Sequence, residues 1–191
     1  MASVLLQRIR KRTDEVLTEA QAGFRAGHSI IDQLFTLRFM IEEYIGYGKD
    51  LYVCSVDFQE AFDSIWRAGL WQDMRHLRYD EKIIRLLEDL YNDTMSALWV
   101  DGELTNWFKP LVGVSQGCFL SPMLFNILLK IVMALATTDV EFGALISGRR
   151  ISNLQFADDI GLLAESEPDL QSLITSVDTV SSRFGLRVSS A

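Results

Sequence analysis

Residues 151–164, ISNLQFADDIGLLA, contain two apolar runs that meet at Asp158-Asp159. Ile151 to Ala157 and Ile160 to Ala164 have the length and composition of strands, and an Asp-Asp pair between them is ordinary turn chemistry. Phe156 and Ala157, however, lead straight from an apolar strand into two charges. Carboxylates beside a core cost free energy unless they are partnered. The pair therefore marks either a solvated turn or a functional corner.

A third apolar run, Leu51 to Val56 (LYVCSV), reads as a buried strand and ends in Asp57. Ser121-Pro122 opens an apolar helix, with the serine as cap and the proline at N1, that runs to about Thr137. Glu167 to Phe184 is a helical pattern stopped by Gly185, and Leu186 to Ser189 starts a last strand. With residues 58–115 treated as an insertion, the order is β-α-β-β-α-β. This predicts an α+β fold of the split-βαβ (ferredoxin-like) kind, an antiparallel sheet backed by two helices. The first and third strands of that arrangement are central, so Asp57 and Asp158 become neighbours across about a hundred residues of sequence. Carboxylates brought together repel, and the usual resolutions are a raised pKa or a bound cation. Oxygen ligands with no nearby imidazole or thiolate favour Mg²⁺ or Mn²⁺ over zinc. Asp63, in QEAFDSI, reads instead as a helix-surface or capping acid.

The remaining segments alternate in the same legible way. Ser3 to Leu17 is helical, Gln21 to His28 is a loop, and Ser29 caps a helix carrying the stripe Ile31, Leu34, Phe35, Ile41 and Ile45 before Gly46 and Gly48. Helical patterns follow at Ala68 to Leu77 and Asp80 to Tyr91, with Asp80 as N-cap. Asp101-Gly102 between two strand-like runs is a hairpin turn, because a tight two-residue loop needs positive φ. GVSQG is a turn-rich loop, and Gly148-Arg149-Arg150 is a basic, solvated hairpin tip.

Composition narrows the function classes. The chain has 191 residues, 49% of them hydrophobic and 23% charged, which excludes disorder and suffices for one sizeable core. Its longest apolar stretch, Phe125 to Ala136, is interrupted by Asn126 and Lys130 and falls short of the roughly 18 residues of a spanning helix. The N-terminal MASVLLQRIRKR lacks the apolar core of a secretory signal, so an intracellular location, nucleus or cytoplasm, with no membrane partner is expected. Cys54 and Cys118 have no zinc spacing and read as small hydrophobes in a reducing compartment. A net charge of −8 argues against this chain alone gripping a nucleic-acid backbone. The excess of basic over acidic residues is confined to positions 1–38, so any basic surface belongs near the N-terminus.

Four segments in this order, AQAGFRAGHSIIDQ, VDFQEAFDSI, GVSQGCFLSPMLFNI and LQFADDIGLLAES, resemble the reverse transcriptases of non-LTR (long interspersed) retrotransposons. Similarity to group II intron reverse transcriptases is more distant. The resemblance runs from about Leu5 to the last residue. It implies an RNA-directed DNA polymerase, a nucleotidyltransferase that adds dNTPs to a DNA primer on an RNA template. Asp57, Asp158 and Asp159 correspond to the catalytic carboxylates. Together with the Phe58 carbonyl they would hold two Mg²⁺ ions, or Mn²⁺ in substitution, about 3.5–4 Å apart. The implied nucleotide-binding set is Phe58, Ala61, Phe62, Gln116, Gly117 and Arg25. Phe62 corresponds to the aromatic that excludes a 2′-hydroxyl, Gln116 to the group touching the sugar, and Arg25 to the fingers arginine on the triphosphate. Taken from the residues alone, the alternatives are a core phenylalanine at Phe62 and a surface-loop arginine at Arg25.

The resemblance also implies a partial fingers-palm region: fingers at 1–50, palm at 51–57 and 116–191, and a helical and hairpin insertion at 58–115. On this reading a first fingers segment and a thumb lie outside the chain and are needed for stable nucleic-acid binding. Ser115, Phe119 and His28 depart from the residues common at their positions. The alternative is a catalytically inactive retrotransposon fragment that acts at most as a folding or binding module.

Overall fold

The computed structural model describes residues 2–138 and 142–189. Two helices lead the chain, α1 (Ala2–Val16) and α2 (Ile30–Gly46), followed by strands β1 (Tyr52–Val56) and β2 (Phe58–Gln59). Next come α3 (Arg67–His76), α4 (Glu81–Asn92) and the short strands β3 (Trp99–Val100) and β4 (Glu103–Leu104). The long helix α5 (Ser121–Ala136) precedes strands β5 (Ala144–Ile146), β6 (Arg149–Ile151), β7 (Asn153–Phe156) and β8 (Asp159–Ala164). Helix α6 (Glu167–Arg183) and strand β9 (Arg187–Val188) complete the mixed α+β architecture. Among the described residues no helix is long and apolar enough to cross a membrane.

Strand β8 is central, antiparallel to β1 on one side and β7 on the other. The last strand, β9, pairs antiparallel with β2, which continues β1 after the single residue Asp57. The expected first and third strands are thus neighbours. The insertion expected from residue 58 begins later, because Phe58 and Gln59 belong to a sheet. Strand β1 is not buried on both faces as LYVCSV suggested: Val53 is exposed, whereas Val56 is buried and Cys54 packs on the core. One face of the sheet lies on the main core and the other is covered only in part, by α2, so burial alternates along the strand.

The core is organised around α5. Leu124, Phe125, Ile127, Leu128, Leu129 and Val132 are all fully buried, so the helix is apolar all round and packs against α1, α3 and α6. Each such side chain contributes about 1.5–3 kcal/mol of burial, and Phe125→Ala would cost about 3–5 kcal/mol. The expected cap at its start is not formed. Ser121 lies inside the first turn and its hydroxyl donates to the Ser115 carbonyl at 2.6 Å, with Leu120 at the cap position. Cys54 and Cys118 are free and half-buried.

Helix α2 does start at the Ser29 cap, with Asp32 completing a capping box. Its expected apolar stripe faces outward, however: Ile31 is 71% exposed, Phe35 70% and Ile45 72%. The packed face is Met40 and Tyr44 with Leu37, against Ala144, Leu163 and Leu154. The sequence carries two apolar faces at helical spacing, and periodicity cannot say which one meets the sheet. Tyr44 fixes the choice, donating to Glu165 at 2.7 Å and accepting from the Leu145 amide at 2.8 Å.

Candidate active site

The β1–β8 register, Ser55 opposite Gly161 and Val56 opposite Ile160, sets Asp57 opposite Asp159 one step further on. Val56 and Ile160 are buried, so strand alternation turns the next pair, Asp57 and Asp159, away from the main core, and both are exposed. Phe156 pairs with Asp159, which leaves Ala157 and Asp158 as the two turn residues. The hairpin is therefore folded about Ala157-Asp158 rather than about both acids, and Asp159 begins β8. The three carboxylates arrive at one sheet edge from two strands and the turn between β7 and β8.

Their proximity has an electrostatic signature. The Asp159 carboxyl is raised above its ordinary value of 3.8, first by partial burial and then by the negative charges of Asp158 and Asp57. Among the described residues no three His, Cys, Asp or Glu side chains stand together closely enough to hold a metal ion. The donor set nevertheless suits a hard divalent cation, since it is all carboxylate and Cys54 lies on the core side of β1. The Asp57 carbonyl accepts from the Ser189 amide at 2.8 Å. In an extended segment the next carbonyl, that of Phe58, is then directed to the opposite edge, toward β8.

A second group of expected residues comes together beside this corner. The Val114 amide donates to the Phe62 carbonyl at 2.7 Å and the Gly113 amide to the Ile65 carbonyl at 2.9 Å, zipping the GVSQG loop onto the turn after β2. Gln116 then donates to the Asp63 carboxylate at 2.6 Å. Asp63 is thus a turn residue that holds Gln116, and not the helix-surface or capping acid that its sequence suggested. The half-buried Phe62 ring packs on Phe125 with centroids 5.0 Å apart, while the Ala61 and Phe58 side chains are buried in the core. Gly117 has φ of 81° with open space where a Cβ would stand. Arg67 braces the same loop, donating to the carbonyls of Tyr91, Pro110, Val112 and Gly113. Burial lowers the Arg67 pKa.

Arg25 does not join either group. Its side chain is only 7% exposed, with Nε 3.8 Å from Asp14. One terminal nitrogen donates to the carbonyls of Thr18 at 2.8 Å and Gln21 at 3.0 Å. In this structure the guanidinium braces its own loop and offers no outward fork to a triphosphate. Arg149 and Arg150 begin β6, and Arg150 reaches Glu165 at 3.7 Å and the Gly143 carbonyl at 3.1 Å.

Two buried polar residues and a glycine to which the sequence assigned no role lie behind the Ala157-Asp158 turn. Gln21 and Asn126 are both 2% exposed, and Gly23 packs on the Ala157 backbone. Asn126 carried a usable signal, a lone amide inside an apolar helix, because such a group is retained only where it is hydrogen-bonded. Gln21 and Gly23 carried none.

The family model described as reverse transcriptase (RNA-dependent DNA polymerase) matches residues 1–191. The retrovirus-related Pol polyprotein from type-1 retrotransposable element R2 of Nasonia vitripennis is 28% identical over 91% of this chain, which spans 17% of that polyprotein. The RNA-directed DNA polymerase from mobile element jockey of Drosophila funebris is 28% identical over 81% of this chain, again spanning 17% of the relative. Apo telomerase from Candida tropicalis superposes with a TM-score of 0.74 at 14% identity, over 98% of this chain and 35% of that one, which shows a shared fold. The chain, similar to non-LTR retrotransposon polymerases along most of its length, belongs to the reverse transcriptase family.

Proposed function

We propose that this chain is the fingers-palm core of an RNA-directed DNA polymerase that adds dNTPs to a primer 3′-hydroxyl on an RNA template, with Asp57, Asp158 and Asp159 as metal-binding catalytic residues. The observation that carries the reading is the strand register, which sets Asp57 opposite Asp159 beside the turn that bears Asp158. The split-βαβ sheet would be the palm, and α1 and α2 with the loop between them the fingers. The three carboxylates and the Phe58 carbonyl would hold two Mg²⁺ ions. The chemistry such a pair would supply is a lowered pKa for the attacking hydroxyl and charge stabilisation on the departing pyrophosphate.

This chain's own residues do the rest. Asp57 and Asp159 are exposed, so a primer end would approach them without displacing core. The tethered Phe62, Gln116 and Gly117 segment would border the deoxyribose. The Phe62 ring, backed by Phe125, cannot recede, so it would exclude a 2′-hydroxyl. Gln116 is held by Asp63, which would keep it in one orientation for the sugar. Pre-set side chains of this kind lower the barrier because little reorganisation accompanies the reaction.

The test is extension of a primed homopolymer RNA with labelled dNTP and Mg²⁺, comparing wild type with Asp158→Ala. Signal in wild type and its loss in the variant support the reading; equal incorporation by both overturns it.

A further inference from the structure

We propose that Gln21, Gly23 and Asn126 form a positioning device that sets the Ala157-Asp158 turn and, through it, the relation of Asp158 to Asp57 and Asp159. The inference rests on the polymerase reading and extends it to residues that touch neither metal nor nucleotide. Gln21 Oε1 accepts from the Ala157 amide at 3.1 Å and from the Gly23 amide at 2.7 Å. Gln21 Nε2 donates to the Ala157 carbonyl at 3.1 Å. One side chain thus grips both polar groups of the residue preceding Asp158. A primary amide accepts two N–H groups and donates to a carbonyl at once, whereas an ionised glutamate lacks the donor and methionine offers no donor and only a weakly accepting sulfur.

The grip is needed because Ala157 is held at φ of 59°, a left-handed conformation unusual for a residue with a Cβ. Released, the turn would relax, and rotation about the Ala157 backbone carries the Asp158 carboxylate with it. Four further contacts stiffen the clamp. The Gln155 amide donates to Ala20 at 2.7 Å and the Ala22 amide donates to Gln155 at 2.9 Å, stitching the loop to β7. Gly23 lies so close to the Ala157 nitrogen that any Cβ would overlap it. Asn126 Nδ2, projecting from the most buried helix, donates to the Gly23 carbonyl at 2.8 Å. Rigid core, loop and turn are therefore joined in series, which is how a site borrows precision from packing.

Mn²⁺ binding, read from the electron paramagnetic resonance of the free ion, tests the device without requiring turnover. Wild type should bind Mn²⁺ and Asp158→Ala should lose it. Gln21→Met should bind at least tenfold more weakly while keeping its far-UV circular dichroism, and Asn126→Ala several-fold more weakly. Tyr79→Phe, which removes a buried hydrogen bond to Thr13 instead, should bind as wild type does. If Gln21→Met does not fold, the comparison of Asn126→Ala with Tyr79→Phe decides. Wild-type affinity in Gln21→Met or Asn126→Ala, alongside loss in Asp158→Ala, overturns the positioning role and leaves the polymerase reading standing. Absence of Asp158-dependent binding in wild type overturns both.

Discussion

Gln116 donates its side-chain amide to the Asp63 carboxylate at 2.6 Å, joining two segments that lie 53 residues apart. Both partners are exposed, so the bond adds little to global stability and acts mainly by orienting Gln116. Asp63→Ala should leave the melting temperature within about 2 °C of wild type, given a loss of no more than ~0.5 kcal/mol. In primer extension it should raise the KM for dNTP several-fold with kcat little changed. Steady-state kinetics at varied dNTP checks this, and an unchanged KM would show that Gln116 needs no tether.

Arg67 is the opposite case, a charge consumed entirely by structure. It donates to four carbonyls and lies over the Tyr91 ring at 5.2 Å. Arg67→Ala strands those carbonyls and should destabilise the fold by about 2–4 kcal/mol, measured by urea denaturation. Lysine should recover less than half of the loss, because a single ammonium cannot reproduce the planar fork.

The Asp159 carboxylate is destabilising when ionised. Because the folded Asp159 carboxyl is raised, the native state binds a proton more readily than the unfolded chain, and stability falls as pH rises through the carboxylate range. Asp159→Asn in chelator-containing buffer at neutral pH should therefore stabilise by about 0.5 kcal/mol or less, since solvent screens the pair. Added Mn²⁺ should invert the order, raising the melting temperature of wild type more than that of the variant. Scanning calorimetry in both buffers reads the two signs.

Alkaline pH attacks a different group. The buried Tyr79 hydroxyl, bonded to Thr13 at 2.9 Å, is pushed up to about 12, first by burial. The unfolded phenol ionises near its ordinary value of 10.0 while the native one does not, so stability is intact below that pH and is lost above it. The loss should reach about 2–3 kcal/mol by pH 12. Tyr79→Phe should flatten this part of the alkaline unfolding profile, followed by far-UV circular dichroism in urea at each pH.

The outward stripe of α2 makes a prediction that sequence periodicity alone could not make. Ile31→Ser and Phe35→Ser should each change stability by no more than about 0.5 kcal/mol, because neither side chain is packed. Met40→Ala, on the packed face, should cost about 2–5 kcal/mol. Equilibrium unfolding of the three variants checks the assignment.

Local sequence determined the elements whose physics is local. Ser29 and Asp80 cap helices because their side-chain oxygens reach amides two or three residues on, and Asp101-Gly102 turns a hairpin because both residues take positive φ. The candidate acids were legible as well. Apolar strands that end in Asp57 and in Asp158-Asp159 advertise a buried edge carrying charge, and the order of elements was enough to pair those strands. Tertiary structure decided whatever depends on which face meets which. It turned the apolar stripe of α2 outward, put the Ser121 hydroxyl on a carbonyl in place of a cap, folded Arg25 inward, and bound Gln116 to Asp63. It also gave Gln21, at 2% exposure, its grip on Ala157. A polar side chain reads alike in sequence whether it meets solvent or a backbone amide 136 residues away, because its partner is set by packing between elements and not by its neighbours in the chain.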